Sequence, residues 1–317
     1  LKARGCGIAA EDYHNDQLVS DIESLTKGFH EFKNSFWDTI NKVETAHEPG
    51  RTVHKIAREE LSKDVFINQY IIDEQGFVAR ICDMDDKIVT LWDRSRDHLM
   101  QQQAWGLTPR DIYQAVALDL LLDPDIHLVN LTGAAGSGKT ILALAAAIDM
   151  TVSQNRYTRI IATRSVRGLD EDIGFLPGTE AEKMEPWLGA ITDNLEALHM
   201  EDESTHGSID YILQKVPLHF KSLNYIRGRS FQKSLIIIDE SQNLTPHQMK
   251  TIITRAGAGS KVVCLGNLAQ IDTPYLNATS SGLTYLNERF KGFSLGGGIE
   301  LQGVPRSALA EYAETHL

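Results

Sequence analysis

The chain has 317 residues, 42% of them hydrophobic and 23% charged, which suits a large packed core and excludes a disordered or fibrous chain. Lys and Arg number 31 against 43 Asp and Glu, and the resulting net charge of −12 argues against wrapping duplex DNA by bulk charge while allowing a local basic groove. Three cysteines (Cys6, Cys82, Cys264) are too few and too scattered for a disulfide framework or a zinc site, and no apolar run reaches the roughly 18 residues of a membrane span, so a chain in the reducing cytoplasm with no membrane partner is expected.

At roughly 100–200 residues per domain, two domains and a smaller appendage are expected. The chain opens on Leu1 with no signal peptide, as a trimmed piece of a longer protein would. Residues 1–15, LKARGCGIAAEDYHN, look like the end of a preceding domain. Between Asp16 and Val43 the apolar residues Leu18, Ile22, Leu25, Phe29, Phe32, Phe36, Ile40 and Val43 recur at helical spacing. Gly28 interrupts that run, so the alternative is a short helix, a strand near Phe29 and a second helix. His47-Glu48-Pro49-Gly50 is a breaker cluster and a candidate boundary. Short apolar stretches at 66–72, 77–81 and 88–92, separated by polar turns, predict a small antiparallel β unit of about three strands.

From Leu107 the pattern becomes strand, turn, helix, repeated. Apolar runs at 127–132, 159–163, 235–238 and 261–265 predict an α/β fold with a mainly parallel sheet. The expected division is a tail and linker over 1–50, a small β domain over 51–105 and a parallel-sheet α/β domain over 106–317. Gly296-Gly297-Gly298 reads as a loose loop, and the histidines show no metal spacing.

Gly133-Ala134-Ala135-Gly136-Ser137-Gly138-Lys139-Thr140 matches the phosphate-binding pattern G-x-x-x-x-G-K-[ST] in full. An apolar strand precedes it and a helix former follows, as the chemistry demands. Glycines let backbone N–H groups curl around phosphate oxygens, and the helix start adds partial positive charge. Lys139 is placed to bridge the β- and γ-phosphates of ATP, and the Thr140 hydroxyl to ligate Mg²⁺. About 100 residues on, four apolar residues run into Asp239 and Glu240. At the carboxyl end of a parallel strand, Asp239 would hold Mg²⁺ and Glu240 would activate the attacking water. A third strand ends in Gly266 and leads to Gln270, whose amide can read the γ-phosphate or orient the water.

Two basic clusters stand out in an acidic chain: Arg156, Arg159, Arg164 and Arg167, then Lys221, Arg227, Arg229 and Lys233 interleaved with Tyr225 and Phe231. Guanidinium groups beside aromatic rings suit single-stranded nucleic acid, and Arg164, Arg167, Arg227 and Arg229 are the candidate RNA contacts. Arg306, before a terminal helical stretch, is a candidate arginine finger.

Over nearly its whole length the chain resembles the PhoH-like family of P-loop ATPases, of the longer type in which a PIN ribonuclease domain comes first. The resemblance is carried by ALDLLLDPDIHLVNLTGAAGSGKTILALAAA, DIGFLPGTEAEKMEPW, IRGRS, IIIDESQNLTPHQMKTIITRAGAGSKVV and AQIDTPYL. It implies a single RecA-like domain, a Gln114 that reads adenine, and ATPase roles for Lys139, Thr140, Asp239, Glu240 and Gln270. It implies that Arg306 completes a neighbour's site in a homo-oligomeric ring, plausibly a hexamer. Asn267 stands where many relatives carry an acid, and the PIN resemblance is confined to the first residues. The expected function is ATP hydrolysis coupled to movement on, or unwinding of, single-stranded RNA. The competing readings are a nucleotide-regulated assembly ATPase and a small-molecule phosphotransferase.

Overall fold

The computed structural model describes residues 25–61, 64–165, 193, 216–303 and 312. Its strands form two six-stranded sheets. The first contains β1 (Phe29–Phe32), β2 (Val43–Glu48), β3 (Arg51–Ala57), β4 (Tyr70–Asp73), β5 (Val78–Met84) and β6 (Ile88–Asp93), in the order β1-β4-β5-β6-β3-β2. All neighbours are antiparallel except β1, which joins β4 in parallel.

Three sequence expectations change here. The periodic run from Asp16 to Val43 is not one helix. Gly28 (φ +85°) and Asn34 (φ +59°) take left-handed backbone that a helix cannot contain. The strand near Phe29 is present as β1, but a single 3₁₀ turn at Phe36–Thr39 and then β2 follow it, not a second helix. The breaker cluster at 47–50 is no boundary: it is the turn of the β2–β3 hairpin, where Glu48 pairs with Arg51. The unit has six strands because β1 and β2 come from the segment expected to be linker.

Alternation decides which face of this sheet meets which core. Ile71, Ala79, Ile81 and Leu91 turn to a private core around Phe36. Tyr70, Ile72 and Val78, their neighbours along the same strands, turn the other way. With Phe29 they enter the large core of the second unit.

That second sheet has β7 (Leu128–Gly133), β8 (Arg159–Arg164), β9 (Leu218–Phe220), β10 (Ser234–Asp239), β11 (Lys261–Gly266) and β12 (Gly296–Leu301), in the order β12-β7-β11-β10-β8-β9. Every pair is parallel. Its central strands are apolar without alternation because helices cover both faces. The described helices are α1 (Arg96–Met100), α2 (Ile112–Leu122), α3 (Lys139–Ile148), α4 (Leu223–Arg227), α5 (Pro246–Ile253) and α6 (Gly282–Phe290). α2 and α3 pack on one face, while α4, α5 and α6 pack on the other. The architecture is α/β with a six-stranded parallel sheet, preceded by a small, mainly antiparallel sheet.

Gly296–Gly298 is not a loose loop but the start of edge strand β12. The glycines permit close approach. A Cβ on Gly297 would lie 2.8 Å from Leu120 Cδ2, and one on Gly28 would lie 1.9 Å from the Gly298 carbonyl oxygen. The two sheets meet at this seam, where Asn68 also donates to the carbonyls of Ser294 and Gly296, at 2.8 Å each.

A polar cluster fixes the same seam on α2. Tyr70 and Arg94 donate to the Asp119 carboxylate, and Arg80 Nη1 donates to Asp123 Oδ2 at 2.6 Å. Lys261, fully buried, donates to the carbonyls of Leu120 and Asp123 at 3.0 and 2.9 Å, closing the helix end. Burial pushes its ammonium down to about 7, against the pull of Asp123. Burial and then Asp119 push the Tyr70 phenol well above its usual range.

Candidate active site

The parallel order sets the site. β7, β11 and β10 are adjacent, so the loops at their carboxyl ends stand side by side on one rim. Two strand spacings, about 10 Å, separate the β7 loop from the β10 acids. That gap suits a triphosphate end and a hydrated cation.

The loop after β7 is residues 134–138, and α3 starts at Lys139. Gly138 caps the helix at φ +97°, a conformation that favours glycine, and a Cβ there would lie 2.8 Å from Gln114 Nε2 and push the end of that side chain aside. Lys139 Nζ donates to the carbonyls of Gly133 and Ala134 at 2.7 and 2.8 Å. Ser137 Oγ donates to the Ala134 carbonyl at 2.8 Å, while Ala135 and Gly136 form the exposed crest. The lysine thus holds the loop in its curl, with phosphate oxygens as the natural competitors for its protons. Thr140 is half-buried in the first turn of α3.

Gln114 sits against this loop from α2. Its Nε2 donates to the Ser137 carbonyl at 3.1 Å, its Oε1 accepts from Arg110 N at 2.9 Å, and Asp111 caps its helix. A cavity of about 230 Å³ lies here, lined by Leu107, Arg110, Gln114, Lys139 and Thr140 among others.

On β10, Asp239 Oδ1 accepts from Glu240 N at 2.9 Å. Glu240 is left-handed (φ +50°, ψ +36°), a conformation costing a non-glycine residue about 1–2 kcal/mol and characteristic of functional turns. Gln242, fully buried, ties the rim together. Its Nε2 donates to Glu240 Oε2 at 2.6 Å and to the Gln270 carbonyl at 3.0 Å, while its Oε1 accepts from Asn267 N at 3.2 Å. Gln270 itself is exposed on the β11 loop. Asn267 caps that loop through Ala269 N at 3.1 Å. Asn243 pins its continuation by accepting from Asp272 N at 2.7 Å. Among the described residues no group of three or more His, Cys, Asp and Glu forms a metal cage. A hydroxyl and a carboxylate, Thr140 and Asp239, are hard oxygen donors that suit Mg²⁺ sharing its remaining positions with water and phosphate.

The basic clusters do not stay together. β8 runs from Arg159 to Arg164, so Arg159 lies at the amino end of the sheet and Arg164 on the nucleotide rim. Arg164, a candidate RNA contact, donates through Nη2 to Glu240 Oε1 at 3.2 Å. Phe231 is core, with Arg159 over its ring at 5.5 Å. Tyr225 on α4 is flanked by Lys221 and Arg229 at 4.7 and 4.8 Å from its ring centre. Arg227 ends α4. Arg167 and Arg306 lie outside the described residues. Sequence reasoning missed the hub role of Gln242 and the inward turn of Arg164. The signal for Gln242 was its place two residues after Glu240.

A phosphate-cradling loop between strand and helix, with an acid-tipped strand two positions away, defines a P-loop nucleoside triphosphatase. The chain belongs to the PhoH-like family, whose description "PhoH-like protein" matches residues 106–312. Protein PhoH2 of Bacillus subtilis (strain 168) is 38% identical over 320 residues, covering 99% of this chain and 69% of that protein. Protein PhoH2 of Mycolicibacterium smegmatis is 36% identical over 210 residues, covering 66% of this chain and 47% of that protein. Among solved structures, the Pif1 helicase from Candida albicans covers 62% of this chain and 41% of its own at 15% identity and TM-score 0.31.

Proposed function

We propose that the chain hydrolyses ATP to drive movement along, or unwinding of, single-stranded RNA, working as a homo-oligomeric ring of six and coupled in the full-length protein to a PIN ribonuclease in the cytoplasm. The observation that carries this reading is the Gln242 bridge. It links the Glu240 carboxylate, just after β10, to the loop after β11, which supports a coupling of hydrolysis to the position of that loop.

In this reading Gln114 and the cavity beside it hold the base, and the 133–140 loop holds the phosphates. Lys139 and Thr140 stand at the β- and γ-phosphates. Thr140 and Asp239 would hold Mg²⁺, which would supply positive charge beside the phosphates. Glu240 accepts a proton from water as its oxygen attacks the γ-phosphorus. The bond from that phosphorus to the β–γ bridging oxygen breaks, and its electron pair leaves with ADP. Gln270 orients the water, and the Gln242 hydrogen bond fixes the Glu240 carboxylate. Arg306 of the next protomer stabilises the charge that develops. Arg167, Arg227 and Arg229 take RNA phosphates.

The test is the steady-state ATPase rate with and without single-stranded RNA, comparing the native chain with Lys139→Ala and Glu240→Gln. RNA is expected to raise the rate and both variants to abolish it. A real rate that ignores RNA overturns the motor and favours the nucleotide-regulated assembly.

A further inference from the structure

Both oxygens of the Glu240 carboxylate are engaged, by partners of different character. Oε2 takes the neutral, buried amide of Gln242 at 2.6 Å. Oε1 takes the Arg164 guanidinium at 3.2 Å, and Arg164 Nε also stands 4.0 Å from Asp239 Oδ2. An oxygen paired with a guanidinium has one acceptor direction filled and is a weaker base toward the attacking water. The two bonds also differ in exchangeability. Gln242 has no exposure, whereas the Arg164 and Glu240 side chains are each 30% exposed. A half-exposed ion pair is weak enough to be traded for another anion.

Strand order says where that anion comes from. β8 lies on the far side of β10 from the phosphate-loop strand β7. Its other neighbour is β9, and Lys221 N, just after β9, donates to the Ala162 carbonyl at 3.0 Å. α4 follows, with Tyr225 between Lys221 and Arg229. Arg164 therefore stands on the side of the catalytic glutamate away from the triphosphate, near the end of β9 that Lys221 follows, while Tyr225 reaches toward Phe231 and the amino end of the sheet. A guanidinium exchanges a carboxylate for a phosphate readily, because both are planar or tetrahedral oxyanions that match its fork.

We propose that Arg164 is a latch on Glu240, opened when a backbone phosphate of bound single-stranded RNA takes the guanidinium. The latch rests on the RNA-driven reading for its opener. Arg164 is a positioning residue: it acts on the reaction only through the Glu240 carboxylate. With RNA absent it holds Glu240 Oε1, and with RNA present it releases that oxygen to the water.

The experiment is the ATPase rate of the full chain carrying Arg164→Ala or Arg164→Lys, with and without oligouridylate, across a chloride series at fixed magnesium and ATP. Arg164→Ala is expected to raise the RNA-free kcat about threefold to fivefold, the size a half-exposed ion pair carries, at unchanged KM for ATP. RNA should then add little further rate. Arg164→Lys, which keeps the charge, should restore a low RNA-free rate and stimulation by RNA. Added salt should raise the RNA-free rate of the native chain and leave Arg164→Ala flat. An RNA-free kcat that is unchanged or lower in Arg164→Ala overturns the latch, as does a raised KM for ATP, which would place Arg164 on the nucleotide. A native chain indifferent to RNA overturns the parent reading and its opener. The latch itself then stands or falls on the RNA-free rate of Arg164→Ala alone.

Discussion

Two clusters in this molecule are built from the same parts, arginine against carboxylate, and do opposite work. At the seam, Arg80 and Asp119 side chains are 7% and 5% exposed, and the partners of Asp119 come from β4, from β5 and from just after β6. On the nucleotide rim, Arg164 and Glu240 are each 30% exposed, and one of the two partners of Glu240 can be exchanged. Burial turns an ion pair into an anchor, because losing one member strands the other in a medium that cannot solvate it. Partial exposure keeps the pair cheap to open. The difference between structure and chemistry here is one of solvent, not of residue type.

That contrast can be broken at several points. Glu240→Gln should lower kcat by about a thousandfold while leaving the urea midpoint within the range of a surface change. A matching loss of stability would erase the distinction. Asp119→Ala should do the reverse. It leaves Arg80, Arg94 and Tyr70 facing a missing carboxylate, which costs about 3–5 kcal/mol in equilibrium unfolding. Gly28→Ala tests the seam without touching a charge. Its φ of +85° and a Cβ 1.9 Å from the Gly298 carbonyl oxygen predict a loss of about 2 kcal/mol or more, read as a lower unfolding temperature.

Lys261 gives the most specific signal, a change with pH. Its folded value of about 7 lies below the ordinary lysine value of 10.5, so between those limits the unfolded chain binds more protons. Stability from this group therefore rises with pH across that window and is lost as pH falls toward 7. The native chain should gain on Lys261→Met as pH goes from 7 to 10, by at most about 1.4 kcal/mol per unit. A flat difference would mean that the carbonyls of Leu120, Leu121 and Asp123 keep the ammonium charged throughout.

The ATPase sheet was legible because its strands are short apolar runs ending in chemistry-bearing residues, and parallel order aligns those ends. The P-loop, Asp239, Glu240 and Gln270 all reach one rim for that reason. The small sheet was read less well. A run such as Phe29, Phe32 and Phe36 fits both a helical stripe and a strand followed by a turn, and only the left-handed backbone at Gly28 and Asn34 decides between them. Gly296–Gly298 was misread because closeness of approach between two backbones leaves no periodic mark. The basic cluster around β8 is divided between the two ends of the sheet for a related reason. Counting cations along a chain ignores that a strand carries its two ends to opposite sides of a sheet.

Similarity and solvent draw different borders on this chain. The family match begins at residue 106, yet Phe29, Tyr70, Ile72 and Val78 are interior residues of the body that match describes. A fragment cut at that border would present the flank of α2 to water as raw apolar surface and leave Asp119 without its cations. Such a piece should be sticky and short-lived in solution, however complete its motifs. The small sheet is a wall of the ATPase, and anything that grips it from outside is already holding the helix that carries Gln114.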